Sequence, residues 1–236
     1  MNLYRLTGIA LFLAGLLLSF VLAGIFFWPD MEASLFDTSL RAEKSIDSMR
    51  CPLIITEAGD AAVRASFTNP VDRPVDFLVR TRITDGYVTL FREYREVVEL
   101  AAGETRTLSW PVAPADAAYD RIVLARIYSF RSFPMPAMDA ACGSLVIHTS
   151  ILTGGQLVAA AIGASWLLLL TGGFLWWRAE QPLSARRRPI LYAAFAVAIV
   201  GQLAMGAAII GSWGVGVLLI LLTIIVVVAL AEHFLL

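Results

Sequence analysis

Four apolar runs, each long enough to cross a membrane, constrain this chain more than any other feature. A helix needs about 20 apolar residues to cross the hydrocarbon core of a bilayer. Runs of that length occupy roughly residues 7–28, 152–177, 189–210 and 213–231. The chain as a whole is 58% hydrophobic, which is typical of membrane proteins. The sequence therefore predicts an integral membrane protein with four transmembrane helices.

The positions of the arginines predict the orientation of these helices. The short segment 178–188, between the second and third runs, holds four of them. Short Arg-rich loops stay on the cytoplasmic side, so both termini are predicted inside and residues 29–150 outside. The first run lacks a small-x-small cleavage site, so residues 1–28 are expected to be a retained signal anchor. A bacterial inner membrane, with residues 29–150 periplasmic or extracellular, is the expected location. The loop arginines are Arg178, Arg186, Arg187 and Arg188.

Residues 29–150 form a polar segment between apolar ones. They hold 13 of the 18 Lys and Arg residues and 17 of the 19 Asp and Glu residues. Several stretches alternate apolar and polar residues with period 2, and turn signals such as Asn69-Pro70 and Asp85-Gly86 separate them. This pattern predicts an antiparallel β-sandwich over residues 51–150. The predicted strands are 51–57, 61–68, 75–83, 87–100, 105–112, 121–130 and 142–149.

The segment "NPVDRPV" before one alternating strand and "AGETRTLSWPV" after another resemble the immunoglobulin-like and fibronectin-III-like sandwiches of many bacterial surface proteins. The resemblance covers about residues 51–149 and implies a fold that mostly binds or spaces other molecules. It implies no functional residue. The remaining residues, 151–236, are assigned to helices two to four and their short loops.

Cys51 and Cys142 are the two cysteines of the chain, and both fall in the predicted outer domain. An oxidising compartment allows a disulfide to persist. Each cysteine opens a predicted strand, the first and the last, and these two strands often run parallel in immunoglobulin-like topologies. A pair of free thiols or metal ligands is the alternative. The absence of a C-x-x-C motif or a neighbouring His favours the disulfide.

Residues 29–50 are predicted to be a partly helical stalk that joins the first helix to the sandwich. Leu35, Ala42, Ile46 and Met49 fall on one narrow helical face.

The loop 129–140 is more apolar than a solvated loop needs to be, which indicates a surface for a binding partner. The alternative is that the loop folds over the open end of the sandwich. Its candidate contact residues are Phe130, Phe133, Met135 and Met138.

Small residues recur every four positions in three of the apolar runs. Such rows let helices approach closely, because lipid supplies no hydrophobic drive for association. Packing within one chain is favoured over a homo-oligomeric surface. The rows are Gly15, Ser19 and Ala23 in the first run, Gly155, Ala159 and Gly163 in the second, and Ala194, Ala198, Gln202 and Gly206 in the third.

Two Thr-Gly-Gly elements, at 153–155 and 171–173, lie on one face of the second run, because 18 residues make about five helical turns. This face could hold a lipid, a carotenoid, a quinone or a partner helix, but helix packing is the favoured interpretation. No cofactor is predicted.

Ionisable residues are missing from the deep part of every apolar run, which argues against a pump or a secondary transporter. No catalytic set, phosphate-binding loop or metal-ligand spacing is present in the sequence. The near-neutral net charge of −1 gives no reason to expect a nucleic-acid partner. The leading hypothesis is a non-enzymatic accessory or scaffolding subunit of a larger membrane complex, with other membrane proteins and lipids as partners. The alternatives are a stand-alone sensor with the sandwich as receptor and, third, a membrane-interface enzyme.

Overall fold

The computed structural model describes residues 3–39, 41–42, 44–133, 135–181 and 188–235. The chain divides into two compact units. The helical unit comprises Met1–Phe27 and Val158–Leu236, and the sheet unit comprises Trp28–Leu157.

Four helices form in the apolar runs: α1 (Leu3–Leu35), α2 (Gly154–Ala179), α3 (Arg188–Ile209) and α4 (Trp213–Leu235). Within the described part of the chain, α1, α2 and residues Pro189–Ile209 of α3 are long and apolar enough to cross a membrane. In α4 the stretch Gly214–Val226 is apolar as well. The protein therefore has an α+β architecture with helices suited to a membrane.

The strands of the sheet unit form two sheets. The larger sheet has the order β1-β8-β7-β4-β5, and β2 also pairs with β8. It is a mixed sheet, because β1 and β2 run parallel to β8 while the other pairs are antiparallel. The smaller sheet is the antiparallel pair of β3 and β6. The strands are β1 (Lys44–Ser45), β2 (Ile54–Ile55), β3 (Ala61–Thr68), β4 (Val75–Asp85), β5 (Tyr87–Leu100), β6 (Thr105–Val112), β7 (Ile122–Ser129) and β8 (Met138–Val146).

One hydrophobic core is shared by both sheets. The side chains of β3 and β4 alternate between buried and accessible positions, as expected for strands with one dry face. Phe67 of the smaller sheet stacks against Phe77 of the larger one, with ring centroids 5.4 Å apart. The largest fully buried side chain of this core is Trp110. The two sheets thus bury their apolar faces against each other.

The segment between α1 and β2, predicted as a partly helical stalk, is helical only at its start. The helix ends at Leu35, a turn follows, and Lys44–Ser45 pair with β8 as a short strand. Asp37 adopts a left-handed backbone with φ of 45°, which stops the helix. Phe36 is buried there in a small cluster with Ala33 and Leu124. The chain therefore reaches β2 through a turn and a strand instead of a longer helix.

Candidate functional site

The Cys51–Cys142 disulfide is present, and its Cα atoms are 5.9 Å apart. The prediction of this bond is confirmed. Cys142 does not open its strand as expected, because β8 already begins at Met138. The parallel pairing of β2 with β8 is what brings the two cysteines together.

Most of the candidate contact loop 129–140 packs over the hydrophobic core. Met135 is only 5% exposed, and Met138 begins β8 and packs against the same core. Phe130 packs edge-on against Tyr128, with ring centroids 4.8 Å apart. The structure thus corrects the partner-loop interpretation for Met135 and Met138. Among the described residues of the loop, Phe133 is the large apolar side chain that is exposed, at 82%.

Arginines and carboxylates form a network on the face of the larger sheet opposite the core. The Arg82 guanidinium donates to Glu93 Oε2 at 2.8 Å and to Asp37 Oδ2 at 2.6 Å. Glu93 also pairs with Arg95 and, at 3.7 Å, with Arg80. Burial acts to raise the pKa of Glu93, but the hydrogen bonds from Arg82 and Arg95 outweigh it and hold the pKa below its usual range. One carboxylate is therefore shared by three arginines.

Arg126 is the most deeply buried arginine of this network, with 5% of its surface exposed. Its guanidinium donates to the backbone carbonyl of Asp37 at 3.0 Å and to that of Ser34 at 3.5 Å. These are orphan carbonyls at the end of α1, and a cation is favourable there. Burial lowers the pKa of Arg126, and the Asp139 carboxylate opposes that effect. The residue thus acts as a cap that ties the end of α1 to the sheet.

Strand β5 is a free edge, since no described strand pairs with its outer side. It is the longest strand, with 14 residues. An unpaired edge is a ready template for another strand or chain. Four of its large apolar side chains are exposed, namely Tyr87, Leu90, Phe91 and Val97.

The helical unit contains a small network of neutral polar side chains. The hydroxyl oxygens of Ser19 in α1 and Ser165 in α2 lie 2.8 Å apart. Gln202 Nε2 in α3 donates to Ser19 Oγ at 2.7 Å and to Ser165 Oγ at 3.3 Å. Gln202 Oε1 is buried and has no hydrogen-bond partner among the described residues. Exchanging the amide oxygen and nitrogen would leave the nitrogen without an acceptor instead, so one end of this amide lacks a partner either way.

An apolar groove of about 430 Å³ lies beside this network. Gln202 is the polar member of its lining, apart from the indole nitrogen of Trp166. Trp166 is 49% exposed. The other lining residues are Phe12, Leu169, Leu170, Phe195, Ala198, Ile199 and Leu203.

Several predicted small residues do allow close helix packing. A Cβ atom on Gly15 would lie 2.8 Å from the backbone nitrogen of Leu169 in α2. Ala23 and Ser19 are fully buried. In α3, Ala198 is buried with Phe12 and Leu169, and Ala194 packs against the same cluster.

The row of small residues predicted on α2 does not lie on the face of this helix that packs against α1. A Cβ atom on Gly155 or Gly163 would meet nothing within 4 Å, and Ala159 is exposed. The same open space surrounds Gly206 of α3. Instead, α2 meets α1 through Ser165 and through Gly172, where an added Cβ atom would collide with the backbone of Phe12. A four-residue repeat of small residues identifies a helix face without bulky side chains. It does not identify the face that packs, since in α2 the bulky Trp176 packs edge-on against Phe12 of α1.

Arg178 lies in the last turn of α2, and Arg188 begins α3. Arg186 and Arg187 lie outside the described residues. Arg5 Nε forms an ion pair with Glu180 Oε1 at 2.6 Å. This pair joins the start of α1 to the residue after α2, so these two helix ends lie together.

His148 lies between two carboxylates in the segment after β8. Its Nδ1 is 3.2 Å from Glu57 Oε1, and its Nε2 is 3.0 Å from Asp120 Oδ1. The hydrogen bond with Glu57 and the charge of Asp120 raise the pKa of His148. No cluster able to hold a metal ion occurs among the residues that the structure describes.

No protein-family model and no curated protein matches the sequence. Partial likenesses occur among solved structures. Beta-glucuronidase 2 of Bacteroides uniformis is 16% identical over 41% of this chain and 12% of its own, with a TM-score of 0.29. Beta-glucosidase of Listeria innocua is 16% identical over 44% of this chain and 16% of its own, with a TM-score of 0.29. Superoxide reductase (neelaredoxin) of Ignicoccus hospitalis is 10% identical over 42% of this chain and 78% of its own, with a TM-score of 0.30. Likenesses this weak carry no functional argument.

Proposed function

We propose that this chain is a non-enzymatic accessory subunit of a larger membrane complex. In this proposal α1 to α4 cross the membrane with both termini in the cytoplasm. The sheet unit is an immunoglobulin-like sandwich on the other side, where the disulfide can persist. The helical unit docks laterally on a partner, and the sheet unit meets the partner's extracytoplasmic part.

The unpartnered end of the Gln202 amide, beside an apolar groove, carries this proposal. A polar group that is buried in apolar surroundings without a hydrogen bond costs free energy. A partner helix that places a hydroxyl or amide side chain in the groove would satisfy the amide. Model transmembrane helices gain about 1–2 kcal/mol from such bonds. The groove thus fits a polar side chain on a partner helix better than a plain acyl chain.

The free edge of β5 gives the sheet unit a second contact surface. Its exposed tyrosine, leucine, phenylalanine and valine side chains are a cost in a domain that meets only water. In the complex, a strand or an apolar surface of the partner covers this edge.

A membrane-anchored receptor is the second candidate function. The observation that favours it is an open cleft of the sheet unit, lined by Arg50 and Arg64. Among the described residues, the sheet unit and helical unit offer no output domain, so signalling would again require another subunit.

The test is purification from the native membrane in a mild detergent, followed by mass spectrometry of whatever copurifies. We expect a stoichiometric assembly containing a partner with a polar residue in a transmembrane helix. Gln202→Leu should lower recovery of that partner at least several-fold. Ile199→Trp, which fills the groove, should do the same.

Leu218→Trp is the matched control, because Leu218 is 67% exposed on α4 and does not line the groove. It should leave recovery unchanged. A monodisperse monomer or homodimer from native membranes would overturn the accessory-subunit proposal. Equal loss in Leu218→Trp and Ile199→Trp would remove the groove from it.

A further inference from the structure

A cleft of about 520 Å³ opens on the sheet unit where the smaller sheet, the segment around β2 and the first residues of α2 come together. The disulfide residue Cys51 is in its lining, so a covalent bond fixes one wall. The polar groups of its lining are two arginines, two threonines, the carboxylate of Asp60 and the first backbone amides of α2.

The two arginines are held side by side by backbone pairing. Arg50 and Arg64 form an antiparallel bridge, with N–H···O distances of 2.8 Å and 2.9 Å in the two directions. Directly opposed residues share a face of the sheet, and like charges in that position repel. Arg50 Nη1 donates to the carbonyls of Asp47 and Met49. The Arg64 guanidinium is exposed and forms no hydrogen bond or ion pair with any described residue.

The start of α2 adds donors of a second kind. Thr153 and Gln156 close a reciprocal capping box: Gln156 N–H donates to the Thr153 hydroxyl at 3.3 Å, and Thr153 N–H donates to Gln156 Oε1 at 2.9 Å. The amides of Gly154 and Gly155 have no acceptor among the described residues. A helix of 26 residues carries a partial positive charge at this end.

Glycine is required at one of these two positions. A Cβ atom on Gly154 would collide with the backbone carbonyl of Ile54. A Cβ atom on Gly155 would meet nothing within 4 Å, so this residue leaves the start of the helix open to the cleft. The helix start is thus pressed against β2 at Gly154, while Gly155 stays exposed.

The buried, unpaired hydroxyl of Thr56 is an independent indication of a ligand. It lines the cleft and is only 3% exposed, yet its hydroxyl has no hydrogen-bond partner among the described residues. Buried hydroxyls are normally paired. The guanidinium groups, the helix-start amides and the hydroxyl are all hydrogen-bond donors, and an oxyanion accepts from donors of each kind. Asp60 is a carboxylate in the same lining and offsets one of the two positive charges.

We propose that this cleft binds a phosphate group. Arginine pairs recognise phosphate oxygens, and helix N-termini bind them through free amides. The phosphate is that of a lipid head group or a free phosphate ion. A helix of 26 residues is about 39 Å long. A bilayer with its head groups is about 40–45 Å thick. The first turn of a spanning α2 therefore lies at head-group depth, which favours the lipid as the source.

The test uses the full chain, stripped of lipid in detergent. Native mass spectrometry follows the binding of phosphatidylglycerol, and calorimetry follows the binding of inorganic phosphate. We expect Arg64→Gln to weaken binding of the first phosphatidylglycerol molecule by about tenfold or more, because it removes a charge-assisted hydrogen bond. Binding that inorganic phosphate fails to displace identifies the lipid as the source. Binding of inorganic phosphate itself, with the same dependence on Arg64, identifies the free ion.

Arg106→Gln is the matched control. Arg106 is an exposed arginine on β6 of the same small sheet, and it does not line the cleft. It removes the same charge and should leave both affinities unchanged. Equal binding of both ligands to the wild-type chain and to Arg64→Gln would overturn the proposal, and so would equal loss in Arg64→Gln and Arg106→Gln.

Thr56→Val separates a ligand site from a merely structural cluster. The substitution keeps the shape of the side chain and removes the unpartnered hydroxyl. Without ligand, the variant should be at least as stable as the wild type, because an unpaired buried group is gone. With ligand, it should bind several-fold more weakly. A variant that binds phosphate and phosphatidylglycerol as tightly as the wild type would exclude Thr56 and overturn the site as described.

Discussion

The two units of this protein each bury a polar network, and the networks are built from different chemistry. In the helical unit, Ser19, Ser165 and Gln202 are all neutral. In the sheet unit, the network is made of arginines and carboxylates centred on Glu93 and Arg126. Both link elements that are distant in the chain, since Ser19 joins α1 to α2 and α3 while Asp37 joins the end of α1 to β4 and β7.

The difference follows from what surrounds each network. An ionised side chain is costly in hydrocarbon even when paired, whereas a neutral hydroxyl or amide needs only a hydrogen bond. On the sheet, aromatic rings lie over the guanidinium groups, with Arg82 4.4 Å from the Phe91 ring centroid and Arg80 5.0 Å from that of Phe130. Such contacts shield the charges while leaving them next to water. The charged network thus lies on a sheet face where aromatic rings and carboxylates flank the guanidinium groups, whereas Ser19, Ser165 and Gln202 join three apolar helices without charge.

The largest expected effect comes from removing the disulfide, which belongs to one unit only. The bond spans 91 residues. In the chain-entropy model, closing a loop of that length contributes about 4–5 kcal/mol. Cys51→Ala should therefore greatly accelerate amide hydrogen exchange in β3 to β8. Peptides from α2 and α3 should keep their exchange rates; faster exchange in both units would show that the two do not unfold separately.

Breaking the charged network should have an intermediate effect. Glu93→Gln leaves Arg82, Arg95 and Arg80 without their shared carboxylate, and hydrogen bonds to charged groups contribute about 1.5–3 kcal/mol. We expect a destabilisation in that range, measured by urea unfolding of the purified chain. Glu99→Gln is the control, because Glu99 is exposed on the same strand and has no ion-pair partner among the described residues. If both variants lose equal stability, the network adds nothing beyond net charge.

Breaking the neutral network should have a smaller effect. Ser165→Ala removes one hydroxyl between α1, α2 and α3, and hydrogen bonds between membrane helices contribute about 0.6 kcal/mol on average. The expected result is a thermal unfolding midpoint in detergent close to that of the wild type. Thr223→Ala is the comparison, since that hydroxyl donates to Leu219 O within its own helix. A loss with Ser165→Ala as large as that with Glu93→Gln would erase the contrast between the units.

The smallest effect is expected from His148, an exposed residue of the sheet unit. Its pKa is raised in the folded protein by Glu57 and Asp120. A raised pKa contributes stability that is fully present below the unfolded value of about 6.5 and is lost as the pH rises through the folded pKa. The wild type should lose a small part of its thermal stability over that range, relative to His148→Gln. Parallel pH profiles for the two proteins would rule out the contribution.

The sequence predicted regular elements well and side-chain environments poorly. Strands β3, β5 and β6 begin and end where the alternation of apolar and polar residues begins and ends. Strand β8 starts four residues before the predicted strand, because Met138 and Ala140 alternate into the core while the prolines before them suggest a loop. Two-residue strands such as β1 carry no periodic signal at all. They exist only because the neighbouring strand β8 offers free backbone groups.

The candidate sites show the same limit. Cys51 and Cys142 could be paired from sequence because two cysteines allow only one bond. Arg50 and Arg64 could not be brought together, because a single isolated bridge joins them across an irregular segment. A small-residue repeat identifies a helix face without bulky side chains but not the helix that packs on it, as the row of Gly155, Ala159 and Gly163 shows. Gln202 was found through its position in a row of small residues, although its hydrogen bonds are what distinguish it.

The Cys51–Cys142 bond also makes the sheet unit a closed ring in the covalent path from α1 to α2. A protease that cuts once anywhere between these cysteines opens the ring without releasing either half. The nicked protein keeps its full mass on a gel until a reductant separates it into two fragments, one with α1 and one with the other helices. Damage to an exposed turn such as that at Gly103 therefore leaves α1 tethered to the other helices.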